Sequence, residues 1–149
     1  MTVTQLHHFF VHFPIALMVV AAAADLGGVI ARREFFTNMA FWLMGLAALG
    51  SVLAAVSGNG AEAALLGHES LNAAVQNELA SHVNMGNVLI WVMLLAFIVR
   101  LFFLLEKRPL ATSGWVFPAI NTLLAAAVLY SGFSGGHLTA VIRIFYVGG

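Results

Sequence analysis

The sequence predicts an all-α membrane protein, a four-transmembrane-helix bundle. Hydrophobic residues make up 62% of the chain and charged residues 8%, whereas soluble domains carry about 25% charged residues. Mean hydropathy is +0.99. The 149 residues divide into four apolar stretches with little left over, each near the length of about 20 residues that crosses a bilayer. A soluble all-α domain would need polar helix faces, which these stretches lack. One four-helix transmembrane domain over residues 1–149 is therefore expected.

The first span is expected at about residues 7–30 and the second at about 36–56. The third is expected at about 82–105 and the fourth at about 115–130. Ala21 to Ala24 could pass for a signal-peptidase site, but no basic segment precedes it, so the first stretch is read as a span. Between spans two and three the chain is too polar to cross. Leu71, Val75 and Leu79 recur there at every fourth position. That spacing predicts an amphipathic helix in the long loop, running into span three. After span four come a Gly-rich segment, residues 132–136, and a short apolar tail.

Orientation follows from Lys and Arg in the short connections. Arg32 and Arg33 lie between spans one and two, and Lys107 and Arg108 between spans three and four. Those turns are expected in the cytoplasm, which puts both termini and the long loop outside, on the periplasmic side of a bacterial inner membrane. All six histidines, His7, His8, His12, His68, His82 and His137, fall on that outer side. A shift of 74 residues maps His8 onto His82, Arg33 onto Lys107, and Ser57-Gly58 onto Ser131-Gly132. With or without common descent, spans one and three run parallel and carry histidines at similar depth.

The absence of cysteine excludes disulfides, iron–sulfur clusters and covalently attached c-type haem. Six basic residues, most of them at the inner surface, argue against nucleic-acid binding. Imidazoles from two helices at matching depth, among apolar and aromatic side chains, are what a bis-His b-type haem requires. The candidate ligands are His12 and His82 first, then His8, His7 and His137; the choice of partner for His82 stays open. Each taken singly could equally bond to backbone, water or lipid head groups. A His-based zinc or copper site competes for the same residues, with His68-Glu69 as a further contributor, but it wants more ligands than are in evidence.

Two charges stand inside the spans. Asp25 lies eight residues before Arg33 and Arg100 seven before Lys107, which brings them to nearly the same depth. A structural ion pair between Asp25 and Arg100 is the economical reading; a proton or quinone role for Asp25 is the sharper alternative. Pro14 removes a backbone N–H, so either the first helix continues through it with a distortion beside His12 or it begins there. Small residues at Ala21 to Ala24, Gly27, Gly28, Gly45 and Gly50 permit close helix packing.

Several of these residues also carry a resemblance. His7, His12-Phe13-Pro14-Ile15, Asp25-Leu26, Ser57-Gly58, the histidine opening span three, Ser131-Gly132 and Gly135-Gly136-x-Leu138 together resemble the bacterial four-helix membrane family called domain of unknown function 2231. The likeness covers nearly the whole chain. His8 stands where the family pattern has proline, Thr139-Ala140 where it has Val-Tyr, and the tail reads Tyr146-Val147-Gly148-Gly149. No role for the family tyrosine carries over. Fusions of family members to Rieske or cytochrome c modules imply a setting of periplasmic electron transfer.

Two functions are expected from this. The first is a membrane b-type cytochrome-like subunit that passes electrons between the quinone pool and a periplasmic redox partner, with haem b as cofactor. The second is a non-catalytic structural or assembly subunit of a larger membrane complex. The chain shows no nucleophile, phosphate loop or acid/base pair, so an electron-transfer or accessory subunit is expected rather than a stand-alone enzyme.

Overall fold

A computed structural model describes residues 3–66, 72–106 and 114–142, with side chains from residue 7 onward. His68, Glu69, Leu71, Lys107, Arg108 and the tail from residue 143 lie outside the described residues. Four helices make up the fold: α1 (Val3–Ala31), α2 (Glu34–Leu66), α3 (Ala73–Leu105) and α4 (Val116–Ile142). All four are long and apolar enough to cross a membrane. α1 packs most extensively on α2, and α4, α2 and α3 complete a ring in which α1 and α3 stand across one diagonal. Successive helices alternate in direction, as in an up-down bundle. The start of α1 and the end of α4 therefore share one end, which also holds the histidines; the Arg32–Arg33 turn lies at the other.

The helices run longer than hydropathy indicates. At 33 residues each, α2 and α3 measure about 50 Å, well beyond a hydrocarbon core of about 30 Å. The expected end of span two at residue 56 is not the end of a helix: α2 continues through Ser57, Gly58, Asn59 and Gly60 to Leu66. Extending an existing helix adds one hydrogen bond per residue, a far smaller demand than starting one. The amphipathic segment before span three is not a separate helix either. It forms the first turns of α3, where the Asn72 side chain caps the helix by accepting from the Val75 N–H at 2.9 Å. Likewise α4 passes through the Gly-rich segment to Ile142, which makes His137 helical. Val75 and Leu79 of α3 meet Leu138 and Ile142 of α4 and close this end of the bundle.

At mid-bundle, Met18, Met44, Ala47, Met93, Leu124 and Val128 form the main core. Unbranched methionine fills irregular space between helices. Toward the Arg32–Arg33 end, Phe41 and Phe97 stack at 5.3 Å, and Phe103 meets Phe117 edge-on at 5.5 Å. Large apolar side chains such as Phe9, Leu95, Trp91 and Leu123 face outward, as lipid-facing positions should.

The turn between α1 and α2 is two residues long. Arg32 adopts φ 53°, its N–H bonds the Val29 carbonyl, and the Arg33 N–H bonds the Gly28 carbonyl at 2.9 Å. This is the Schellman pattern, with arginine where glycine is usual. Gly28 itself lets the helices meet: a Cβ there would stand 2.5 Å from Thr37 Oγ1 and 3.1 Å from the Thr37 backbone nitrogen.

Candidate functional site

The histidine end holds a cavity of about 500 Å³, within the range of small-molecule and cofactor pockets, about 300–1,000 Å³. His7, His8 and His12 line it from α1 and His82 from α3, with walls from α2 and α4. Among the described residues Glu62 is the one Asp, Glu, Lys or Arg on the lining.

His7 is half-buried against α2. Its Nδ1–H donates to the Ala54 carbonyl at 3.0 Å, and the Ser57 hydroxyl oxygen stands 3.2 Å from the same nitrogen. Ser57 also donates to the Ala54 carbonyl, at 2.9 Å. Because a carbonyl only accepts, this bond puts the proton on Nδ1 and leaves the Nε2 lone pair of neutral His7 free. The ring fits there because residue 58 is glycine: a Cβ on Gly58 would lie 3.0 Å from His7 Cε1 and 3.3 Å from Nδ1. Glycine inside a helix costs about 1 kcal/mol relative to alanine, and close approach of an imidazole is the use made of it here.

His82 repeats the arrangement on the opposite diagonal. It packs against α4 at Gly135, where a Cβ would lie 2.7 Å from Cε1 and 3.0 Å from Nε2. Its Nδ1 is buried and has no hydrogen-bond partner among the described residues. A buried, unpaired nitrogen carries a desolvation penalty of about 1–3 kcal/mol. The 74-residue shift equates Gly58 with Gly132, yet Gly132 receives Ile15 of α1, with Cδ1 2.7 Å from its would-be Cβ. The glycine seating His82 lies one turn further along α4.

The structure separates the other histidine candidates. His8 sits on the cavity wall next to His7, with ring centroids 6.3 Å apart. His12 also reaches the wall but is exposed, and its Nδ1 is engaged by the His8 carbonyl one turn back. His137 is exposed on α4 and does not line the cavity. Helix α1 runs straight through the Pro14 position as one element, so the reading in which α1 begins at Pro14 is set aside. Among the described residues no three His, Asp or Glu side chains converge on a point, whereas a zinc site takes three or four protein ligands. His7 and His82, both on the cavity lining and each seated on a glycine, are the residues that would hold a group taking two nitrogen ligands.

Toward the opposite end Asp25 and Arg100 form a buried two-pronged ion pair, Arg100 Nη1 to Asp25 Oδ2 at 2.5 Å and Nη2 to Oδ1 at 2.6 Å. The residues are 1% and 0% exposed, so neither charge has water to fall back on. Arg100 Nη2 also donates to the Thr37 carbonyl of α2 at 2.9 Å, and its guanidinium carbon lies 5.0 Å above the Phe117 ring of α4. Asn121 of α4 donates to Asp25. Sequence reasoning passed over Asn121, although an amide within an apolar span is itself a signal. A second cavity, of about 320 Å³, reaches Asp25 from the Arg32–Arg33 turn.

A family model described as a predicted membrane protein, DUF2231, matches residues 4–147. The chain belongs to that family. The DUF2231 match takes in all four described helices, the histidine-lined cavity and the ion pair. No curated protein and no solved structure matches the chain. Membership of DUF2231 thus establishes a membrane protein, and function has to be argued from the cavity.

Proposed function

We propose that the protein is a small b-type cytochrome-like membrane subunit that binds haem b between His7 and His82. One observation carries the reading: two half-buried imidazoles from diagonal helices line one cofactor-sized cavity, each seated on a glycine of the neighbouring helix. The hydrogen bond from His7 Nδ1 to the Ala54 carbonyl is the second contact that orients iron-ligating histidines and raises their basicity. A bound haem would supply reversible one-electron chemistry. The chain would grip it, exclude water with apolar walls, and set its potential through burial and the Ala54 and Ser57 contacts.

We further place the histidine end on the periplasmic side of a bacterial inner membrane, on the strength of Arg32 and Arg33 at the opposite end. Electrons would then pass between the quinone pool and a periplasmic redox partner. The test is a reduced-minus-oxidised visible spectrum of the detergent-purified protein, repeated with His7→Ala, His82→Ala and His12→Ala. A b-type α-band that disappears in the first two variants and persists in the third is the expected result. A featureless spectrum in the native protein would sink the proposal and leave a structural subunit as the reading.

A further inference from the structure

On α1, eighteen residues separate His7 from Asp25, and on α3 eighteen separate His82 from Arg100. Eighteen residues are five turns of α-helix and about 27 Å of rise. On each helix the histidine therefore stands on the same face as the charged residue. α1 and α3 run in the same direction across the bundle, and Asp25 and Arg100 are joined side chain to side chain. Joining two parallel helices at one point fixes their axial register, and equal spacing carries that register to the other end.

We infer that the Asp25–Arg100 pair is a positioning device that holds His7 and His82 level across the cavity about 27 Å away. The pair is built for that task. Arg100 of α3 touches α1 through Asp25, α2 through the Thr37 carbonyl and α4 through Phe117, while Asn121 ties Asp25 to α4. All four helices are pinned in one plane. Buried ion pairs add little net stability over apolar packing, and fixing register is their best-attested use. Along the cavity the directional contacts tie His7 to α2, through the Ala54 carbonyl and the Gly58 seat, and His82 to α4, through the Gly135 seat, so the ion pair is the contact that joins α1 directly to α3. A slip of one turn between α1 and α3, about 5.4 Å, would take the two imidazoles out of level. The inference rests on the proposed haem site only in its spectroscopic consequence; the register itself is measurable without a cofactor.

The chain contains no cysteine, so engineered cysteine pairs report without background. His7→Cys is combined in turn with Leu79→Cys, His82→Cys and Gly86→Cys, cavity-lining positions about one turn apart on α3, and cross-linked in membranes with a short bis-maleimide. In the native background the pair at 7 and 82 is expected to dominate. Asp25→Asn with Arg100→Gln removes both charges and leaves neither unpaired; there the preference for 82 should fall several-fold, with cross-linking spreading to 79 and 86. Arg100→Lys, which keeps an ion pair, should retain the preference. An unchanged pattern in the double variant overturns the inference. If that variant fails to accumulate, Asp25→Leu with Arg100→Met, which fills the same space with apolar side chains, takes its place, and an unchanged pattern there overturns the inference as well. In the histidine-intact protein the double variant should shift or weaken the b-type band while circular dichroism stays native. Absence of the band from the native protein counts against the haem reading alone, since the cross-links decide the register independently.

Discussion

Gly135 of α4 lies so close to His82 of α3 that a Cβ added to it would stand 2.7 Å from the imidazole Cε1. The neighbouring Gly136 would meet nothing within 4 Å. Gly135→Ala must push the imidazole out of its seat, at a cost of about 1–3 kcal/mol for overpacking, and should weaken cofactor binding. Gly136→Ala, whose Cβ would meet nothing within 4 Å, should raise helix stability by up to about 1 kcal/mol and leave the His82 seat intact. Thermal unfolding in detergent and pigment content per mole of protein distinguish the two.

Gly58→Ala is expected to act in the same direction as Gly135→Ala but less strongly. Its Cβ would approach His7 Cε1 at 3.0 Å and Nδ1 at 3.3 Å, distances that a small ring rotation can relieve. That rotation lengthens the bond to the Ala54 carbonyl, so a shifted midpoint potential with little loss of pigment is the expected signature. A potential identical to the native one would show that the Ala54 contact does not tune the site.

Removing one member of the buried ion pair should be far more damaging than removing both. Asp25→Asn strands a guanidinium that is 0% exposed, for which about 3–5 kcal/mol is the usual cost. The double replacement Asp25→Leu with Arg100→Met should cost less than either single change. Equal or additive losses, read from thermal unfolding as a double-mutant cycle, would mean that the two charges act independently.

Gly28→Ala is predicted to destabilise the protein by about 1–3 kcal/mol. Its Cβ would lie 3.1 Å from the backbone nitrogen of Thr37, and backbone cannot swing aside as a side chain can. The same displacement moves the Thr37 carbonyl that receives Arg100. Gly27→Ala, with nothing within 4 Å, is the control and should be neutral or stabilising.

Arg32→Gly should stabilise the α1–α2 turn by about 1–2 kcal/mol, because Arg32 holds φ 53°, a conformation that costs that much for a residue with a Cβ and nothing for glycine. Thermal unfolding reads the gain directly; a lower melting temperature would mean that the Arg32 side chain contributes more than its backbone costs.

The four helices were legible in the sequence because hydropathy measures what lipid demands. Helix ends were not, since α2 and α3 continue as helix beyond the lipid, where the demand lapses. The Asp25–Arg100 pair could be read from depth alone, as both residues are counted from basic turns. The rotation of α1 could not. Three histidines within six positions, His7, His8 and His12, all project toward one end, and which of them enters the bundle depends on where α2 offers a notch. Gly58 supplies that notch, but a glycine in a polar stretch reads as loop until α2 is seen to continue through it. Asn121 went unnoticed for a similar reason: its meaning depends on Asp25, which lies 96 residues earlier.

The long sequence separation of Asp25 and Arg100 also bears on how the protein is made. Arg100 follows Asp25 by 75 residues, so the first hairpin enters the membrane carrying a carboxylate whose counter-charge has yet to leave the ribosome. During that interval α1 and α2 can associate through Gly28 and the alanine faces, but Asp25 has no guanidinium to meet. The hairpin alone thus carries an unpaired carboxylate that the completed bundle does not. Arrival of α3 supplies both the guanidinium and His82, so neutralisation of Asp25 and completion of the histidine-lined cavity depend on the same helix.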